Sequence, residues 1–204
     1  MKKITHIAYI SALCIAGLFI SGCPSLTLPP EPAITYQQQS WPQRERALQK
    51  IHHWQINGAF SLHQPQHTVI ADYAWQQKKE DYWLRIYSTL DLYSMLIVGQ
   101  PHHVSLQRSK EPPRSAQNPE QLMQQELGWA VPISHLFYWI RGLPAPGPYT
   151  GQWDRYGHLV ALQQNQWSVH WSNYLPVGSV DLPCLFQLSR PPLDIKIVVK
   201  QWSL

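Results

Sequence analysis

Hydrophobic and polar residues alternate along most of the chain from residue 54 onwards, and this period of two predicts half-buried β-strands. The first run places five apolar or small residues on one face, namely Trp54, Ile56, Gly58, Phe60 and Leu62. Similar runs follow at 69–75, 82–86, 93–97 and 104–106. Turn-forming residues separate these runs, so the short connections predict antiparallel meanders.

The hydrophobic spacing changes to that of a helix in three places. The first helix is predicted to begin at Ser40, which can cap it, while Gln43 can reach back as in a capping box. The second is predicted to begin at Pro119, with Asn118 as its cap and Gly128 at its end.

Strands return after the third helix, which is predicted from about Pro132 to a stop at Gly142. Asn165-Gln166 marks a hairpin turn between two alternating runs, and residues 189–192 form the turn of a last pair that ends near Trp202. The sequence thus predicts nine to eleven strands, two internal helices and one N-terminal helix, which is a mainly β fold.

The first 23 residues have the layout of an export signal, with a basic start and an apolar run too short to span a membrane. Ile20-Ser21-Gly22-Cys23 resembles the bacterial lipobox, which implies cleavage before Cys23 and acylation of this cysteine. The alternative is an ordinary signal peptide that happens to end at a cysteine. We therefore expect a signal peptide at 1–22, a lipidated, proline-rich tether at 23–39 and a single domain at 40–204.

Charge and cysteine content narrow the possible functions further. Of the 16 basic residues, two leave with the signal peptide, and the remaining 14 against 12 acidic residues give a net charge of +2. This balance gives no indication of nucleic-acid binding. Once Cys14 is removed and Cys23 is acylated, Cys184 has no partner for an intramolecular disulfide. Because Cys184 alternates with Phe186 and Leu188, we expect it to be a buried structural thiol.

Candidate catalytic and metal-binding residues are sparse. The chain has no nucleophile elbow, zinc-protease helix or glycine-rich phosphate loop. Its ten histidines include two adjacent pairs, His52-His53 and His102-His103. Neighbours on a strand point to opposite faces, so neither pair chelates a metal by itself and both are expected on the surface. The sequence therefore favours a protein that is not an enzyme and that needs no metal or other cofactor.

Aromatic residues are a better functional clue than the titratable ones. Five tryptophans lie on predicted strands, namely Trp54, Trp75, Trp83, Trp167 and Trp171. They are explained either by ordinary core packing or by an apolar cavity inside a curved sheet, and periodicity does not separate the two. The predicted turn at 88–92 also contains Leu90 and Leu92, which a chain reversal does not need. Leu90 either folds back onto the core or forms an exposed apolar tip suited to a membrane or an acyl chain.

The predicted third helix lies within a distinctive run, which consists of Gly128-Trp129-Ala130-Val131-Pro132-Ile133, then Leu136, then Trp139-Ile140-Arg141-Gly142-Leu143-Pro144. This run resembles the pattern Gly-x-x-hydrophobic-Pro, then Leu, then Trp-Ile-x-Gly-Leu-Pro of the LolB family of outer-membrane lipoprotein receptors. Weaker matches are Gly58-Ala59-Phe60, Trp75-Gln76-Gln77 and Lys200-Gln201-Trp202.

The resemblance implies an incompletely closed antiparallel β-barrel of about eleven strands, with helices over its open mouth and a hydrophobic cavity within. It implies a monomeric receptor that is anchored to the outer membrane through the N-acyl and S-diacylglycerol groups of Cys23 and faces the periplasm. It further implies that this receptor accepts lipoprotein cargo from the periplasmic carrier LolA. Pro24, which is not Asp, agrees with sorting to the outer membrane.

Site residues follow from the resemblance together with the alternation. Leu90 falls at the family's insertion loop, usually Pro-Leu-Gly, where this chain has Thr89-Leu90-Asp91, and Leu92 adds to the apolar tip. The residues expected to line the acyl-chain cavity are Ile56, Phe60, Trp75, Leu84, Ile86, Met95, Leu136 and Ile140. The competing hypotheses are a scaffolding lipoprotein with a solid β core that binds protein partners, and a secreted hydrolase.

Overall fold

The computed structural model describes residues 34–88, 94–109, 111–128 and 131–204. The described residues form three helices and eleven strands. The helices are α1 (Trp41–Gln49), α2 (Pro119–Leu127) and α3 (Ile133–Trp139). The strands are β1 (His53–Gln64), β2 (His67–Lys78), β3 (Asp81–Tyr87), β4 (Ser94–Gln100), β5 (His103–Arg108), β6 (Arg114–Ala116), β7 (Thr150–Trp153), β8 (Leu159–Gln164), β9 (Trp167–Val177), β10 (Val180–Arg190) and β11 (Leu193–Ser203).

All eleven strands belong to one antiparallel sheet, in the order β6-β5-β4-β3-β2-β1-β11-β10-β9-β8-β7. The first long strand therefore pairs with the last, and the sheet continues outward from this pair on both sides. β6 and β7 are its two edges and do not pair with each other, so the sheet is not closed. The prediction of a mainly β, incompletely closed antiparallel barrel is confirmed.

The predicted helix boundaries are confirmed by their caps. Gln43 Oε1 accepts hydrogen bonds from the backbone N–H of Ser40 at 3.1 Å and from its hydroxyl at 2.9 Å. Asn118 Oδ1 accepts from the backbone N–H of Gln121 at 3.2 Å, and Gly128 ends α2 in the left-handed region with φ 71°. These caps satisfy backbone groups that a helix end leaves without intrahelical partners.

The structure departs from the sequence prediction in β6, β7 and β10. The first two are short and mostly exposed edge strands without an alternating pattern, so the sequence analysis missed them. In β10 the pairing with β9 shifts on both sides of Leu185, which breaks the alternation. Because of this shift Cys184 is half-buried, and the prediction of a buried thiol is wrong.

One core lies between the inward face of the sheet and the two helices α2 and α3. Four of the five strand tryptophans, Trp54, Trp75, Trp167 and Trp171, belong to it, whereas Trp83 lies on the outer face and is 37% exposed. Trp54 packs against both Trp75 and Trp202, with ring centroids 5.1 and 5.6 Å apart. These indoles fill the end of the sheet at which β1 begins and β11 ends.

Candidate functional site

An apolar cavity lies between α2, α3 and the inner face of the sheet. Strands β1 to β3 contribute Phe60, Leu62, Tyr73, Trp75, Leu84 and Ile86, and the helical side contributes Met123, Val131, Ile133, Leu136 and Ile140. Leu188, Ile195 and Ile197 of β10 and β11 complete the wall. Only Tyr73 and Trp75 carry a side-chain polar atom. The Tyr73 hydroxyl donates to the Val198 carbonyl at 3.3 Å, and the Trp75 indole N–H donates to Gln77 Oε1 at 3.0 Å. A ligand that fits this wall is therefore a hydrocarbon.

The cavity is narrow. The space open to the centre of a water-sized sphere is only about 60 Å³. Pockets for small ligands span roughly 300–1,000 Å³, so the cavity is well below that range in this structure. A bound acyl chain therefore requires the wall to move outward, and the covering helices are the part of the wall that lies outside the hydrogen-bonded sheet.

Six of the eight residues expected at the cavity line it, namely Phe60, Trp75, Leu84, Ile86, Leu136 and Ile140. Ile56 and Met95 are 3% and 2% exposed and belong to the same core, but they lie outside the lining. Alternation sets the face on which a residue lies and not its height along the barrel, which is why these two were misplaced. The sequence analysis missed the contribution of β11, although Ile195 and Ile197 follow the same alternation.

Trp139 fixes the end of α3 to the far side of the sheet. Its side chain is fully buried, and its indole N–H donates to Gln164 Oε1 at 3.0 Å. Its own carbonyl accepts from the Trp171 indole at 3.0 Å. Gln164 also holds the loop after α3, because its amide exchanges two hydrogen bonds with the backbone of Ala145, at 3.0 and 2.7 Å.

Arg141 and Gly142 hold the turn that follows α3. The Arg141 guanidinium donates to the Ile51 carbonyl at 2.9 Å and lies 4.1 Å from the centre of the Phe137 ring. Burial lowers the pKa of Arg141 to about 10, so it remains charged at neutral pH. Gly142 has φ 74°, and a Cβ there would lie 2.9 Å from the Tyr174 hydroxyl. These contacts give the Trp139–Pro144 run a structural role, since it anchors one end of the cavity's cover.

A buried polar cluster outside the cavity was not anticipated from the sequence. His158 is 1% exposed, and its ring nitrogens lie 2.9 Å from Asp154 Oδ2 and 3.0 Å from Asp181 Oδ2. Asp181 also pairs with Arg44 of α1 at 3.0 Å. Burial by itself would raise the pKa of Asp154, but hydrogen bonds and the charge of His158 outweigh it and lower that pKa. The cluster joins α1 to β10 and lies outside the cavity lining.

The remaining predicted site residues are either on the surface or beyond the described ranges. His52, His53, His102 and His103 are exposed, as expected. Within the described residues no group of three or more His, Cys, Asp or Glu side chains is placed to hold a metal ion. None of the helices in these ranges is long and apolar enough to cross a membrane. Cys23, Leu90 and Leu92 lie outside the described residues.

Comparison with known proteins identifies the family. The model of the family "Outer membrane lipoprotein LolB" matches residues 52–202, which is most of the chain. The chain belongs to the LolB family. Among its relatives, the outer-membrane lipoprotein LolB of Coxiella burnetii strain Dugway is 52% identical over 202 residues, covering 99% of this chain and 96% of the relative. The LolB of Cellvibrio japonicus is 36% identical, with coverage of 96% and 95%.

A solved structure of low sequence identity shares the fold. A LolA superfamily protein from Nitrosomonas europaea superimposes with a TM-score of 0.53 at 11% identity, covering 81% of this chain and 94% of that one. At this identity the similarity is one of architecture alone. This LolB-family chain therefore shares its overall fold with that protein.

Proposed function

We propose that this protein accepts lipoproteins from the periplasmic carrier LolA by binding their acyl chains in its cavity, and inserts them into the outer membrane. The cavity carries this proposal, because its wall consists of hydrocarbon side chains and two aromatic residues whose polar atoms are already hydrogen bonded. Membership of the LolB family supports the same role. A scaffolding lipoprotein would have a solid core, and a cavity under two covering helices counts against that alternative.

The transfer needs no covalent chemistry. Each methylene withdrawn from water contributes about 0.8 kcal/mol, so a cargo with three acyl chains neither leaves a membrane nor crosses water unaided. A cavity that shields the chains lowers this barrier. The cargo moves from the carrier to this protein if its cavity binds the acyl chains more tightly than the carrier does, and this needs no nucleotide or other cofactor.

Anchoring completes the proposal. Acylation of Cys23 with an N-acyl and an S-diacylglycerol group would hold the protein, as a monomer, on the periplasmic side of the outer membrane. In this scheme residues 1–22 are the cleaved signal peptide, 23–39 the tether and 40–204 the cargo-binding domain. The anchor then only localises the domain, and the receptor activity does not depend on it.

A transfer assay tests the receptor function directly. LolA loaded with a fluorescently labelled lipoprotein is mixed with the non-acylated Cys23→Ala protein, without membranes. The label is expected to move to the Cys23→Ala protein and to elute with it on size exclusion. If the label stays with LolA at a large excess of acceptor, the receptor function is wrong.

The loop at Leu90 is proposed to act in insertion rather than in reception. Leu90→Glu places a charge at the predicted apolar tip, so it should reduce the release of cargo into outer-membrane vesicles at least about fivefold while cargo reception stays unchanged. Ile70→Glu is the matched control, because Ile70 is an aliphatic residue that is 74% exposed and lies outside the predicted loop. Equal insertion by the Leu90→Glu and Ile70→Glu proteins would refute the proposed role of the loop.

A further inference from the structure

A second, open depression lies beside the cavity, at the end of the sheet where the β2–β3 and β4–β5 turns meet α3. We call it the lateral groove. Its walls are residues 78–81, the outward side of α3 and residues 143–147 with Tyr149. The groove has about 1,180 Å³ open to the centre of a water-sized sphere, against about 60 Å³ in the cavity. The groove is therefore wide, whereas the cavity is narrow.

The groove and the cavity share two lining residues, Trp75 of β2 and Ile133 of α3. These two side chains are buried, at 2% and 3% exposure, so they separate the cavity from the groove beneath the start of α3. Outward movement of the cover, which a bound acyl chain requires, would open a path between the two spaces at this point.

The groove walls differ from the cavity walls in chemistry. They include three cations, Lys78, Lys79 and Arg141, and three carboxylates, Glu45, Glu80 and Asp81. A hydrocarbon chain lying there would leave the exposed charges among them without water, at a cost that the cavity does not impose. The walls also present aromatic side chains, among them Phe137, Tyr138 and Tyr149, together with four prolines, at positions 101, 119, 144 and 146. Grooves that combine aromatic side chains with polar groups suit extended peptides, whose backbone is polar and whose side chains are mixed.

We propose that the lateral groove binds the first residues of the cargo polypeptide, directly after the acylated cysteine, in an extended conformation. This inference rests on the proposed function, because it assumes that the acyl chains occupy the cavity. The acyl chains and the polypeptide of a lipoprotein are attached to the same cysteine. When the chains are in the cavity, the polypeptide must leave through an opening of that cavity, and the groove lies next to the cavity on the other side of Trp75 and Ile133. Charges of both signs on its wall make this binding tolerant of sequence.

Two lipopeptides with the same triacylated cysteine test the inference. One ends at the cysteine amide, and the other continues with eight flexible, uncharged residues. Dissociation constants for both are measured with the Cys23→Ala protein in three forms: without further change, with Tyr149→Ala and with Trp83→Ala. Tyr149 and Trp83 are a matched pair, since they are 38% and 37% exposed, but only Tyr149 lines the groove.

The longer lipopeptide is expected to bind about threefold to tenfold more tightly than the short one, and Tyr149→Ala should remove most of this difference. Trp83→Ala should leave the difference unchanged, and the short lipopeptide should bind equally to all three proteins. If the added residues bring no gain, or if both substitutions act alike, the groove does not bind the cargo peptide, while the cavity still binds acyl chains. The inference is also overturned if Tyr149→Ala slows transfer from LolA without affecting either affinity, because the groove would then be a carrier surface. If neither lipopeptide binds at all, the proposed function itself fails.

Discussion

Replacing Leu84 by asparagine is expected to weaken the binding of a triacylated lipopeptide at least about tenfold, because an acyl chain would then cover an amide that has no hydrogen-bond partner. Leu84 projects from β3 into the cavity and is 5% exposed. Asparagine has a similar shape, so the change alters polarity more than volume. The measurement is a titration of the non-acylated Cys23→Ala protein with a fluorescent lipopeptide.

Leu106→Asn is the control for this prediction. Leu106 points inward from β5 and is 1% exposed, but it does not line the cavity. Both substitutions bury an amide in the core and should lower the free energy of unfolding by similar amounts, about 1–3 kcal/mol. Only Leu84→Asn should weaken lipopeptide binding. A comparable loss of affinity in Leu106→Asn would mean that the effect comes from general loosening of the core and not from the cavity wall.

Replacing Trp139 by alanine is expected to lower the free energy of unfolding by about 3–5 kcal/mol, a large part of the total stability of a domain of this size. The substitution leaves a large void next to Trp167 and removes the hydrogen bond to Gln164. Trp139→Phe restores most of the volume but not the donor, so its cost should be about 1–2 kcal/mol. Urea unfolding of the Cys23→Ala forms measures both values.

Trp83→Ala is the control for this prediction, and the quantity compared is the loss in the free energy of unfolding. Trp83 is on the outer face and 37% exposed, and its truncation should cost less than about 1 kcal/mol. If Trp139→Ala costs no more than Trp83→Ala, the anchoring of α3 through the Trp139–Pro144 run is wrong. That run would then need an explanation other than packing.

The sequence predicted best those features of the fold that depend only on residues close together in the chain. The caps at Asn118 and Gly128 depend on residues within one helix, and both are present as predicted. The alternation from Trp54 to Leu106 located β1 to β5 because each of these strands has one buried and one solvated face. Edge strands such as β6 lack this contrast, and therefore their sequences carry no such pattern.

Long-range contacts were beyond a local sequence analysis. Arg44 lies on the same face of α1 as Leu48, but nothing within the helix indicates what allows a charged residue to be only 2% exposed, which is the ion pair with Asp181 of β10. His158 becomes a buried histidine only through carboxylates at positions 154 and 181. The hydrophobic periodicity of one segment does not predict such a contact between distant residues, since the contact depends on which strands pair.

For a related reason, the sequence predicted which residues face inward but not which of them surround an empty space. Alternation placed Phe60, Leu84 and Ile86 on the inward face, but it placed Ile56 and Met95 there as well. Whether the inward side chains leave a space depends on how three separate parts of the chain pack together. Large indoles fill one end of the sheet, and aliphatic side chains leave room under α3. The resemblance to the LolB family supplied the hollow interior that the period of two did not.

The position of a bound acyl chain tests the central claim most directly. A crystal structure of the Cys23→Ala protein with a triacylated lipopeptide should show hydrocarbon in contact with Phe60, Leu84 and Ile86, beneath α3. The space open to a water-sized sphere should be much larger than the present volume of about 60 Å³, with α2 and α3 displaced and the sheet unchanged. Hydrocarbon on the outer face, around Trp83 and Leu96, with the cavity still closed would contradict the account.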